Sequence, residues 1–194
     1  MIRFDINDEK FKNIDKKEVS IDAILTDAKD FVKKFGMEKL KYFNKLFSKK
    51  YTNMKSFKGV YIFVVNKKNK LVLDDDFFKD TYIYRKMADD KCQYIRTISS
   101  SYRLNKFRQP GDAAVTLDHE RVFYCGRSDT IIYRTNEHLS SDNYSGTMSL
   151  KLGFESRKWV REFLKCYFLL IDDVSRADVE KDIKNIYGAY FGDY

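Results

Sequence analysis

Arg121-Val-Phe-Tyr-Cys-Gly-Arg-Ser-Asp-Thr-Ile-Ile-Tyr-Arg-Thr-Asn-Glu-His138 passes from a strand pattern to a helix pattern within one short stretch. Val122, Phe123, Tyr124 and Cys125 are apolar or aromatic strand formers, and Gly126 is expected to close the strand. Ser128 or Asp129 then supplies an N-cap, because a short oxygen-bearing side chain accepts from the exposed N–H groups of a first helical turn. On the helix that follows, Ile131, Arg134 and His138 recur at three- and four-residue intervals and share one face. A guanidinium only donates hydrogen bonds and an imidazole titrates near neutrality, so the pair suits work on a phosphate. The same pair is also compatible with an ordinary solvated helix face.

Gly59-Val-Tyr-Ile-Phe-Val-Val65 is an earlier apolar strand that begins with glycine and carries Tyr61 near its start. Gly-Val-Tyr on one strand, Tyr-Cys-Gly on a later one, an arginine ten residues beyond Tyr124 and a histidine one helical turn after it resemble the GIY-YIG nuclease family. The resemblance covers residues 59–65 and 121–191 and is most similar to the type II restriction endonucleases of that family. It implies an α+β fold with a small, mainly antiparallel three-stranded sheet flanked by helices. N-terminal helices and a long insertion between the first two core strands lie outside it. It also implies Tyr61, Tyr124, Arg134, His138 and Glu180 as the catalytic set, with Arg127 as a second phosphate contact. Glu180 corresponds to the family's metal-binding glutamate, on a helix directly after the third sheet strand, and would hold one Mg²⁺ or Mn²⁺; Asp182 is the fallback ligand. Asn185 stands in for an asparagine that many relatives place further on, where this chain has Gly192. In the implied reaction Arg134 steadies the charge growing on the phosphate, and Tyr61, activated by His138 or the metal field, takes a proton from water. Rim or core packing remains the alternative reading of both tyrosines in a chain with 14 Tyr.

The chain has 194 residues, 43% hydrophobic and 34% charged, with a single proline, which suits a packed core without long disordered linkers. The expected organisation is a basic helical region over residues 1–58, then the catalytic domain over 59–194, with the insertion at about 67–119. No signal-peptide pattern opens the chain and no apolar run approaches the roughly 18 residues of a membrane span, so no membrane partner is expected. Cys92, Cys125 and Cys166 lack metal-ligand spacing and read as reduced thiols of a cytoplasmic protein.

Net charge is +8, and residues 1–58 carry 15 Lys and Arg against 9 Asp and Glu. Lys45, Lys49 and Lys50 lie in the densest part, a positive field that attracts polyanions, although a lysine-rich solvated face has the same composition. Ile21, Ile24, Leu25, Ala28, Phe31, Val32 and Phe35 follow a helical period that Gly36 stops, and Leu40, Phe43, Leu46 and Phe47 mark a second helix. Residues 1–19 read as a short strand or an irregular lead. Leu71–Leu73 is expected to pair back on 59–65 as a hairpin. The run Asp74–Asp76 reads as a solvated turn more readily than as a metal site. In the insertion, aromatics interleave with Arg96, Arg103, Lys106 and Arg108, the composition of a surface that grips a nucleic-acid backbone, or of an ordinary charged exterior. Glu155–Lys165 reads as a helix, Cys166–Ile171 as a central strand, and Ser175 as the cap of a last helix with Val179, Ile183, Ile186, Tyr187 and Tyr190 inward.

The expected activity is metal-dependent endonucleolytic hydrolysis of double-stranded DNA, of restriction type and sequence-specific. One metal site cuts one strand, so a double-strand break calls for a homodimer or two successive nicks. The alternatives are a catalytically inactive nucleic-acid-binding protein on the same scaffold, or a repair, mobile-element or phage nuclease with looser target choice.

Overall fold

The computed structural model describes residues 2–37, 39, 58–66, 70–74, 77, 82–86, 93–97, 114–140, 150, 152–153, 155, 157–171, 173 and 175–189. Its frame is a four-stranded sheet of β1 (Asp15–Val19), β2 (Gly59–Val65), β7 (Val122–Ser128) and β8 (Leu164–Leu170) in the order β1-β8-β2-β7. Every neighbouring pair is antiparallel. The architecture is therefore α+β as expected, with four strands in place of three. The extra strand comes from the N-terminal lead, where Asp15–Val19 pairs with Leu170–Cys166 and covers what would otherwise be an open edge of β8.

β2 is buried along its whole length because it lies between β8 and β7 and is covered on both faces. Alternate side chains serve two cores, as the two-residue strand period requires. Tyr61, Phe63 and Val65 face α1 (Ile21–Phe35) and α2 (Ile131–Leu139), while Val60, Ile62 and Val64 face α3 (Arg176–Tyr187) and the N-terminal Phe4 and Phe11. Full burial of each such side chain contributes about 1.5–3 kcal/mol relative to exposure. Gly59 admits no side chain, because a Cβ there would sit 2.0 Å from the Leu169 carbonyl oxygen across the sheet.

The helix over 21–35 forms as its periodicity predicts. Ser20 Oγ accepts from the Ala23 N–H at the N-terminus, and Gly36, at φ 86°, ends the helix in a conformation that disfavours side chains. The segment expected as a second helix, with Lys45, Lys49 and Lys50, lies outside the described residues, as do Asp75 and Asp76 of the acidic run, Arg103, Lys106, Arg108 and Tyr190.

Three local expectations are corrected. β3 (Leu71–Asp74) pairs with β6 (Ala114–Leu117) and not with β2, whose two edges are already taken by β7 and β8. β4 (Tyr82–Lys86) and β5 (Gln93–Thr97), the strand that carries Arg96, pair with each other. The helix expected over 155–165 is a short 3-10 helix, Lys158–Phe163, because Leu164 and Lys165 are drawn into β8. Ser175 precedes α3 without a side-chain cap bond, its Oγ donating instead to Asp173 Oδ1.

Candidate active site

Tyr61 and Tyr124 are separated by the whole 67–119 segment, yet β2 and β7 pair directly and set Tyr61 opposite Gly126. β7 does not stop at that glycine but runs on to Ser128. Gly126 is there because the phenol of Tyr61 lies across it: a Cβ would meet Tyr61 Oη at 2.5 Å and Cζ at 2.8 Å, and Tyr124 Cε1 at 3.0 Å. The two tyrosine rings stack with centroids 5.9 Å apart, and His138 packs against both, at 5.4 Å from Tyr61 and 4.5 Å from Tyr124.

His138 reaches this point from the end of α2. That helix starts after Thr130, with neither Ser128 nor Asp129 at the N-cap position; Ser128 Oγ accepts from the Thr130 N–H one residue earlier. His138 is fully buried, and its Nε2 lies 2.9 Å from Tyr61 Oη. Its other nitrogen, Nδ1, accepts from the backbone N–H of Leu150 at 3.0 Å. A backbone amide can only donate, so Nδ1 holds a lone pair, the neutral ring carries its proton on Nε2, and Nε2–H donates to Tyr61 Oη.

Arg134, one turn earlier on α2, donates from Nη1 to Glu137 Oε2 at 2.8 Å and its positive charge lies within reach of the Tyr61 phenol. The Tyr61 and Tyr124 phenols lie close enough to shift each other's titration in opposite directions. Burial pushes the Tyr61 phenol well above its ordinary value, with the neighbouring Tyr124 adding to the shift and Arg134 opposing it. Tyr124 is raised as well, chiefly by burial, with Tyr61 and Arg134 pulling the other way. Both phenols therefore keep their protons at neutral pH. Tyr61 is 1% exposed, whereas Tyr124 is half-buried.

Glu180 arrives from the opposite face of the sheet. Arg134 lies on α2, against the core of Tyr61, and Glu180 on α3, against the core of Ile62, so the two can meet only around β7, the last strand in the sheet order. Tyr124 marks the junction, being within electrostatic reach of both Arg134 and Glu180. The Glu180 side chain is 15% exposed; Oε1 accepts from Lys184 Nζ at 2.5 Å and Oε2 lies 3.6 Å from Arg127 Nε. Arg127 is half-exposed and projects from β7 on the same side. Asp182 and Asn185, the fallback ligand and the stand-in asparagine, are exposed on α3.

Among the described residues no three His, Cys, Asp or Glu side chains cluster as a metal cage. A Mg²⁺ ion needs only one or two protein oxygens, with water and phosphate completing its octahedron, and the Glu180 carboxylate fits that donor chemistry. Three members of this cluster are not among the residues the sequence singles out. Glu137 orients the Arg134 guanidinium, and Lys184 holds Glu180; their three- and four-residue spacings were legible. The Leu150 N–H is a main-chain group and leaves no signal in the sequence.

Comparison of the chain with protein-family models, with curated proteins and with solved structures found no match. No helix among the described residues is long and apolar enough to cross a membrane.

Proposed function

We propose that the protein is a divalent-metal-dependent endonuclease of the GIY-YIG type acting on DNA. The observation that carries this reading is the convergence around β7 of a partly buried guanidinium, two stacked phenols, an imidazole and a largely buried carboxylate from elements remote in sequence. A structural core does not need this assembly. Buried polar groups cost free energy unless mutually satisfied, and here they satisfy one another at a point where Tyr124 and Arg127 meet solvent.

Arg134, fixed by Glu137, binds and neutralises a non-bridging phosphate oxygen, and Arg127 takes an adjacent phosphate. The carboxylate of Glu180 holds Mg²⁺ or Mn²⁺, which when bound supplies charge neutralisation at the leaving oxygen. Lys184, bonded to Oε1, competes with the ion for that carboxylate. The basic excess of residues 1–58 draws the polyanion to the site. Double-strand cleavage by one such centre requires two copies of the chain or two successive nicks.

The test is incubation of supercoiled plasmid with the purified chain and Mg²⁺ or Mn²⁺, beside Arg134→Ala and Glu180→Ala. Cleavage by the parent that both variants lose supports the reading. Retained DNA binding with no cutting by the parent refutes turnover and leaves a nucleic-acid-binding module.

A further inference from the structure

Lys158–Phe163 forms a 3-10 helix, and that geometry decides what the segment presents. Side chains three residues apart eclipse in a 3-10 helix, so Lys158 lines up with Arg161 and Trp159 with Glu162. All four line a groove of about 890 Å³ between this helix and the first turn of α1. Buried Val19, Ile21 and Leu164 give the groove an apolar base. Asn66 closes it at the end of β2, five residues beyond Tyr61 and roughly 16 Å from it along an extended strand. The groove shares no residue with the candidate active site.

Trp159 is half-buried, and its indole meets the Phe163 ring at 88° with centroids 5.8 Å apart, which fixes its plane. A fixed indole on an open groove is a stacking surface for another flat ring. The charges around it are balanced. Lys165 pairs with Glu18 at 3.6 Å, Lys158 pairs with Glu155 at 2.5 Å, and Asp22 and Glu162 add two more carboxylates to the lining. A stretch of anionic backbone is therefore a poor match. A nucleobase is a good one, because it is flat and neutral and carries both donors and acceptors along its edge. Arg161 donates from Nε to the Lys158 carbonyl at 3.1 Å and has no acidic partner among the described residues, so the groove can also meet a single phosphate. In a duplex both faces of a base are covered by its neighbours, and the indole can stack only on one that has left the stack.

We propose that this groove holds one unpaired nucleotide, its base stacked on Trp159 and its phosphate on Arg161. The inference takes from the nuclease reading only that the ligand is a nucleic acid, and it adds a second, non-catalytic contact for a single-stranded or extruded nucleotide. No bond is made or broken there. A free nucleoside monophosphate offers the same chemistry as a nucleotide within a strand, and the two sources are told apart by the probe.

Trp159 is the single tryptophan of the chain, so its emission reports on the groove. In EDTA, a short single-stranded oligonucleotide of mixed sequence is expected to quench that emission to saturation, and its blunt duplex is expected to leave it unmoved. Deoxycytidine monophosphate separates the sources: quenching by it alone assigns the groove to a free nucleotide, and quenching by the strand at far lower concentration assigns it to nucleic acid. Anisotropy of a labelled strand then reads affinity without tryptophan. Trp159→Ala is expected to weaken binding about tenfold, the worth of one stacked base, and Trp159→Phe, which keeps a ring against Phe163, by about threefold or less. Arg161→Gln is expected to lower the slope of log K against log salt by about 0.7, one phosphate contact to a single strand. A strand that does not bind, emission unmoved by a bound strand, equal quenching by the duplex, an unchanged affinity in Trp159→Ala or an unchanged slope in Arg161→Gln overturns the proposal. Quenching by the strand in a protein that never cuts plasmid sinks the nuclease reading alone, and cleavage with the emission unmoved sinks this inference alone.

Discussion

Gly126→Ala places the sharpest demand on the site, because the added methyl has nowhere to go. Its Cβ would stand 2.5 Å from Tyr61 Oη and 2.8 Å from Tyr61 Cζ, where ordinary contact begins at 3.4 Å, so the phenol must retreat by about 0.9 Å. Tyr61 is 1% exposed and cannot swing into solvent. The retreat stretches the 2.9 Å bond to His138 Nε2 and disturbs the stacking on the Tyr124 ring. Overpacking of this size costs about 1–3 kcal/mol. In a chain of this length that lowers the melting temperature by about 3–10 °C. Displacing a site group by about 1 Å lowers cleavage by about 100-fold.

The assay is thermal unfolding followed by circular dichroism, beside plasmid cleavage in Mg²⁺. Tyr61→Phe removes the closest contact while leaving the ring, so Gly126→Ala combined with Tyr61→Phe should be about 1 kcal/mol more stable than additivity of the two changes predicts. Cleavage by the double variant stays low, since the Tyr61 hydroxyl is gone. A Gly126→Ala protein that melts within about 1 °C of the parent and cuts at the parental rate would refute the close approach of Tyr61 to Gly126.

Lys184→Met removes a cation 2.5 Å from the Glu180 carboxylate while keeping apolar volume, so the Mg²⁺ concentration for half-maximal cleavage should fall several-fold, on the order of 1 kcal/mol; a rise would argue that Lys184 itself contacts substrate. Tyr187 Oη donates to Asp8 Oδ2 at 2.6 Å, and that bond, with the Lys10 amide, holds the Asp8 carboxyl below its ordinary 3.8. A depressed carboxylate pKa stabilises the fold above the unfolded value and loses that contribution as pH falls through the folded one. The gap in urea midpoint between the parent and Tyr187→Phe should therefore be present at pH 5 and narrow at pH 3; an equal gap at both refutes the charge assistance. Cys125 and Cys166 are buried and in no disulfide, and burial pushes the Cys166 thiol well above its usual range. Neither should react with a disulfide reagent before the urea transition, as followed by mass spectrometry.

Much of the local structure could be read from neighbouring residues. Ile21 through Phe35 with Ser20 before and Gly36 after specify a helix, because periodicity and end chemistry act within a few residues. Gly59–Val65 and Val122–Cys125 specify strands by the same logic, and the spacing from Ile131 to His138 placed Arg134 and His138 on one helix face. The local reading failed where another element competed for the same residues. Leu164 and Lys165 continue the apolar pattern of a helix but pair with Val65 and Val64, and Leu71–Leu73 found β2 already occupied on both sides.

The sequence by itself determined which segments are apolar enough to be buried, where the first helix begins and ends, and which residues offer a guanidinium, an imidazole, phenols and a carboxylate. Only the tertiary structure decided that β2 pairs with β7 across the long intervening segment, that β1 covers the far edge, and that Arg134 and Glu180, from opposite faces of the sheet, both come within electrostatic reach of Tyr124. The physical reason is that propensity and capping depend on adjacent residues, whereas strand order depends on which long-range burial wins. The tautomer of His138 shows the limit most plainly. It is fixed by the main-chain N–H of Leu150, a group that almost every residue carries and that no side-chain pattern can distinguish.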